Sequence, residues 1–387
     1  MAHRLILFRL IPSGGDQMPI SSMSGQMGQM GQMGQMGQMG SGRGGARSGL
    51  LASALNICRD GIIGTEALPE PQAVTVPQDA DADAPARLDL LDAEWRGAAI
   101  LSGLLDGLVV RGTSRDERAA AEIHQIAGDD VADDGTFTRR YAPIAEIIRP
   151  SNSDFSTMLD FLAGYAELRA ERTPEILVQI TDLVSFFAAL DDLRPSRSRW
   201  IFDLMDLGLR LTHVVEARVK HVLGCPRPST FSPLVQPMID TPPHGTLPSG
   251  HATEAFMLAS LLSHVAGEDP MTALTDHAPR FRLAARIAIN RTVAGVHFPV
   301  DSAAGAVLGL VLADHLAARA GLDVPVTPRR FDAGGWADRD FHLGEMARAL
   351  GADGLVASMG APLVPPAEPG LSWLMAKARA DWSARWD

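Results

Sequence analysis

The sequence predicts an all-α protein: a helical bundle over residues 95–320, preceded by a disordered tail and followed by a helical appendage. Three observations predict it. Apolar residues recur at intervals of three and four over most of that span, which stacks them on one side of an α-helix. Gly224, Pro226 and Pro228 close the longest of these runs, as residues that end helices do. Strict alternation of apolar and polar residues, the mark of a half-buried strand, is scarce.

Taken in order, residues 1–65 carry a "GQMGQMGQMGQMGQMG" repeat from Gly25 and then "SGRGGARSG", with no apolar face to bury, so chain entropy predicts disorder. A binding tail is the functional alternative. Residues 66–94, "ALPEPQAVTVPQDADADAPARLD" within them, are rich in Pro, Ala and Asp and read as a linker or surface arm. The bundle at 95–320 follows, with its motif core at 150–320. "FSTMLDFLAGYAEL", "PEILVQITDLVSFFAAL" and "SRWIFDLMDLGLRLTHVVEARVKHVLG" predict three successive helices. A Pro-rich loop runs from Pro226 to Pro248. Helices are then expected from about His251 to Val265, from about Pro279 to Ala294 and from Asp301 to about Arg319. Residues 321–387 hold four of the six tryptophans, which predicts a helical appendage packed on the bundle or, alternatively, a partner-binding surface.

A formal charge of −12 argues against nucleic acid as a partner. Cys58 and Cys225 are too few and too far apart for a disulfide framework or a zinc motif. The longest unbroken apolar stretch, "AAGAVLGLVLA" from Ala303, falls short of the roughly 18 residues that a membrane span needs. A soluble protein, not an integral membrane one, is therefore expected. Arg9 interrupts the apolar N-terminus and no small-residue cleavage site follows, which favours a cytoplasmic over an exported location. Oligomeric state is left open.

The chemistry concentrates in "LPSGHATEAF", residues 247–256. A helix start presents unpaired N–H groups and partial positive charge, so Ser249, Gly250 and His251 at such a boundary suit an oxyanion. The same residues also serve as a cap, a turn and a bystander. Upstream stand Lys220 and, after six residues, Arg227 and Pro228; downstream stand Arg291, His297 and Asp301. Arg holds two oxygens in a fork, Lys adds a point charge, and hydroxyl and N–H donors fill the remaining lone pairs.

Lys, six residues, Arg-Pro; then Pro-Ser-Gly-His; then Ser-Arg, five residues, His, three residues, Asp is the signature that this order resembles. It is that of the type-two phosphatidic acid phosphatase and vanadium haloperoxidase superfamily. One position departs, since Asn290 stands where that family usually has serine. The resemblance covers about residues 150–320 and implies a helical bundle of that family's type.

The resemblance implies that His297 is a nucleophile forming a phosphohistidine, that Asp301 orients it, and that His251 protonates the leaving alkoxide and then activates water. Lys220, Arg227, Arg291, Ser249 and Gly250 would bind the phosphate or vanadate oxygens. No metal or other cofactor is expected for a phosphatase; a haloperoxidase would instead carry vanadate on His297. Gaps of nineteen residues between Arg-Pro and Pro-Ser-Gly-His, and thirty-eight from there to Asn290, are compact and favour the phosphatase. The expected partner is a phosphorylated small molecule or lipid head group. A non-catalytic phosphate-binding or interaction module is the third alternative. Among other candidates, His244 either lines the pocket or is solvated, and Cys225 is either an oxidisable thiol or a buried one. His213, His221, His264 and His315 read as structural.

Overall fold

A computed structural model describes residues 49–63, 85–131 and 135–386. The Gly-Gln-Met repeat and most of the linker lie outside them. Gly49–Ile63 forms helix α1, inside the span where the composition predicts a disordered tail. Pro85–Leu90 is a 3₁₀ turn within the expected linker.

The described chain is mostly helical, but it is not purely all-α. Helix α2 (Ala93–Asp106) is followed by strands β1 (Leu108–Arg115), β2 (Arg118–Val131) and β3 (Phe137–Ile148). With β4 (Arg329–Asp332) and β5 (Val356–Ser358) these make a mixed five-stranded sheet in chain order, in which only β3 and β4 run parallel. The all-α expectation is corrected here, and the reasons are physical. The β1–β2 turn is Asp116-Glu117, both at positive φ, so the hairpin lacks the glycine that would announce it. Strand β2 opens "RAAAE", residues that favour helix until tertiary pairing overrides them. Strand β3 contains Pro143, normally excluded from a central strand; the register shifts between Ile123 and His124, and Pro143 sits at that irregularity. Pairing of β3 with β4 also carries the sheet across the boundary expected at residue 320.

Helices α3 (Asn152–Thr157), α4 (Leu159–Tyr165), α5 (Arg169–Gln179) and α6 (Val184–Asp191) come next. The single helix expected over 174–190 is thus two, bent by 97° counting from Asn152, with the break after Gln179. Helix α7 (Arg199–Leu223) ends at Gly224 in the left-handed region, and the short α8 (Pro228–Phe231) opens the Pro-rich loop. The rest of the bundle is α9 (Gly250–Ala266), α10 (Pro270–Thr275), α11 (Pro279–Val293) and α12 (Pro299–Arg319), with α13 (Leu343–Leu350) and α14 (Pro369–Ala384) beyond it.

Helix α12 starts two residues before the expected Asp301, because Pro299 is preorganised for the first helical position. It is long and apolar enough to cross a membrane by length and composition, yet 94% of that window is buried inside the fold. Its packing against α9 positions the site. A Cβ on Gly305 would lie 2.7 Å from Ser249 O, and one on Gly309 would lie 2.4 Å from Thr253 O. Only glycines let the two backbones approach this closely. The start of α9 is then tied to the start of α12 by Ser249 N donating to Asp301 O at 2.9 Å.

Candidate active site

The termini of α7, α9, α11 and α12 and the loop before α9 meet at one end of the bundle. Lys220 lies in the last turn of α7, Arg227 just beyond it, Ser249 at the N-cap of α9, Arg291 near the end of α11, and Asp301 in the first turn of α12. Ser249 accepts from Ala252 N at 3.5 Å. Asp301 is not the helix cap: Phe298 holds that position, and the Asp301 carboxylate reaches back to accept Phe298 N at 2.9 Å.

His297 sits between an acid and a cation. Its Nδ1 is 3.0 Å from Asp301 Oδ2, and its Nε2 is 3.0 Å from Arg227 Nη1. An Nδ1–H donated to Asp301 leaves the lone pair on Nε2, which fixes the tautomer. Arg227 is itself held by Val296 O at 2.8 Å and by His244 O at 3.1 Å. Thr246 donates to the same oxygen of Asp301 and lies 3.1 Å from His297 Nδ1, so the acid-imidazole pair is braced from a third side.

His251, at the second position of α9, points its Nε2 at Gln179 O, 2.8 Å away. Arg291 donates through Nη2 to Gln179 Oε1 at 3.0 Å, whereas its Nε and Nη1 are buried without a hydrogen-bond partner. Gly250 leaves room for Glu216: a Cβ there would lie 2.9 Å from Glu216 Oε1. That clearance adds to the turn expected of it.

The electrostatics follow from burial. Lys220 is pushed down to about 8 by desolvation, with Glu216 opposing, and Arg227 and Arg291 are lowered to about 10 and about 9 by the same cause. Burial, and then Arg227, hold His297 well below its ordinary value; burial, and then Arg291, do so for His251. Desolvation raises Asp301 to about 6 and raises Glu216. Three cations are thus sequestered among few acceptors. Such an arrangement is costly unless an anion completes it.

His244 is half-buried beside Arg227 and lowered to about 4 by burial and then by Lys220, so it lines the site. Burial pushes the Cys225 thiol up to about 12, which makes it the inert buried thiol of the two readings. Among the described residues, no group of three or more His, Cys, Asp and Glu could hold a metal ion. Thr246, Gln179 and Glu216 join the site without having been anticipated. Glu216 had a signal, since it stands four residues before Lys220 and so one turn away on α7. Gln179 comes from a distant helix and had none.

The PAP2 superfamily model matches residues 205–319, the span that holds every one of the expected site residues. Decaprenylphosphoryl-5-phosphoribose phosphatases of Mycobacterium tuberculosis, from strains CDC 1551 / Oshkosh and ATCC 25618 / H37Rv, are each 29% identical over 116 residues, 30% of this chain. The matched segment spans 58% of the length of these curated relatives. Geometry and similarity meet on the same residues, and 205–319 constitute a PAP2 superfamily domain with weak homology to a phosphatase of that superfamily.

Proposed function

We propose that this chain hydrolyses phosphoric esters through a phosphohistidine on His297. The observation that carries the reading is the paired environment of that ring, Nδ1 on a buried carboxylate and Nε2 toward Arg227. In the first step Nε2 attacks phosphorus and the bond to the ester oxygen breaks. The electron pair leaves with the alkoxide, which takes a proton from His251. In the second step His251 removes a proton from water, the hydroxide attacks phosphorus, the P–N bond breaks and phosphate leaves. Asp301 stabilises the imidazolium as charge develops, and Lys220, Arg227 and Arg291 neutralise the equatorial oxygens. A bound dianion offsets the repulsion between Arg291 and His251, which lets His251 hold the proton it must give.

The donor set also suits orthovanadate, with the three cations on its oxygens and His297 Nε2 as ligand; bound there, it would supply the peroxide chemistry of a haloperoxidase. Phosphate release from a generic aryl phosphate, assayed beside vanadate-dependent halide oxidation on the same preparation, separates the two. The expected result is phosphate release that vanadate inhibits and that His297→Ala abolishes without loss of fold. Release that survives His297→Ala would overturn the phosphohistidine. For the leaving group, the name of the mycobacterial relatives makes decaprenylphosphoryl-5-phosphoribose a substrate to test.

A further inference from the structure

We infer that Gln179 is a positioning residue that ties Arg291 and His251 into one unit, with Asn290 as its anchor. The inference rests on the phosphate reading above. Helix α5 ends at Gln179, and the last carbonyls of a helix have no intrahelical donor. His251 Nε2–H supplies one to Gln179 O at 2.8 Å. The side chain of the same residue turns toward α11, where Oε1 accepts from Asn290 Nδ2 at 3.0 Å and from Arg291 Nη2 at 3.0 Å. A guanidinium only donates, so the atom facing it is the amide oxygen and the amide has one orientation.

Asn290 is fixed in turn. It donates to Glu175 Oε2 at 3.1 Å and accepts from Arg172 Nη1 at 3.4 Å. A serine at this position has a single proton to give, so it could not donate to Glu175 and Gln179 together. The asparagine is therefore the part that commits Gln179 to Arg291.

Gln179 is wholly buried, and its Nε2, together with Nε and Nη1 of Arg291, has no hydrogen-bond partner. Buried donors left so are costly, and a tetrahedral oxyanion offers the acceptors they lack. With Nε2–H of His251 committed to the carbonyl, Nδ1 is the atom left to exchange a proton. One residue thereby sets both the aim of the cation that grips the oxyanion and the ring that moves the proton.

Calorimetric titration of inorganic phosphate into the full chain tests this, using wild type, Gln179→Ala, Arg291→Ala and the double variant, with thermal melts alongside. Gln179→Ala and Arg291→Ala should each weaken phosphate binding by about 10-fold or more, and the double variant should bind no more weakly than Arg291→Ala. Additive losses, or wild-type affinity in Gln179→Ala, overturn the inference while leaving the phosphate reading intact. Wild type that binds no phosphate, or Arg291→Ala with wild-type affinity, overturns the phosphate reading and the inference with it. Should Gln179→Ala melt below the titration temperature, Asn290→Ser replaces it in the same cycle. Wild-type affinity or additivity in that variant is then the overturning result.

Discussion

Asp301 works as the partner of His297 only while ionised, yet burial raises it to about 6. As pH falls through that value the carboxylate takes up a proton and can no longer stabilise an imidazolium at Nδ1. Lys220 is displaced in the opposite sense, to about 8, so it sheds its charge as pH rises through that value and loses its hold on an oxyanion. The expected profile of kcat, taken with substrate bound so that His251 keeps its proton, is a bell whose acid limb is set by Asp301 and whose basic limb is set by Lys220. Asp301→Asn should remove the acid limb and cost on the order of 100-fold or more in kcat. Lys220→Arg should carry the basic limb upward, because an arginine keeps its proton where a buried lysine does not. A flat profile between pH 5 and 9, measured with an aryl phosphate whose own ionisation is corrected for, would refute both assignments. Asp301 and Lys220 were legible in the sequence because each stands in a short motif at fixed spacing. Thr246 and Gln179 were not, since their roles arise from where a loop and a broken helix happen to end.

At the scale of elements, the long helices were legible from their apolar period, and the sheet was not. Its hairpin turn uses Asp116 and Glu117 at positive φ where sequence patterns look for glycine, and its second strand begins with helix-favouring residues. The break after Gln179 was hidden for a related reason: an apolar period continues through it and masks the one local mark, Asp182, whose side chain accepts from Ser185 N at 2.9 Å. Helix α12 shows a further contact that periodicity does not reveal, the backbone approach to α9 at Gly305 and Gly309. A methyl group at Gly309 would meet Thr253 O at 2.4 Å and Met257 N at 2.8 Å, both of them backbone atoms that cannot rotate away. Gly309→Ala should therefore destabilise the fold by about 1–3 kcal/mol or more through overpacking. It should also loosen the tie between Ser249 and Asp301. Gly164→Ala is the control, because its Cβ would meet nothing within 4 Å and alanine favours the helix. Urea midpoints for the two variants test the contrast, and a Gly309→Ala protein as stable as wild type would show that the helices can separate at no cost.

Over the whole molecule, the site-bearing bundle and the C-terminal region share one hydrophobic core. Strand β4 extends the sheet by pairing with β3, and Arg118 on β2 donates to both carboxylate oxygens of Asp332, at 2.6 and 2.7 Å. Helix α14 lies along α7, with Leu371, Leu374 and Met375 buried, and Trp373 meets Trp200 edge-on at 5.0 Å. Asp381 accepts Trp200 N at 2.8 Å, so the last helix also satisfies the start of the helix that carries Lys220. Trp336, Trp373 and Trp382 thus pack the C-terminal region onto the bundle, the simpler of the two expected roles, whereas Trp386 is exposed. Removing residues 321–387 would delete Leu371, Leu374, Met375, Phe331, Trp336 and Phe341, all of them buried, and strip cover from the bundle, from Phe256 beside Phe341 and from Trp200 beside Trp373. The burial of each of the six deleted side chains is worth about 1.5–3 kcal/mol, so together they rival the 5–15 kcal/mol by which a domain of ordinary stability is folded at all. A chain ending at residue 320 should accordingly lose its cooperative thermal transition and elute as aggregate. Circular dichroism melts and size-exclusion chromatography, run beside the full chain, measure both. A truncated chain that melts cooperatively and still binds inorganic phosphate would instead make the bundle self-sufficient, and the sheet an ornament on it.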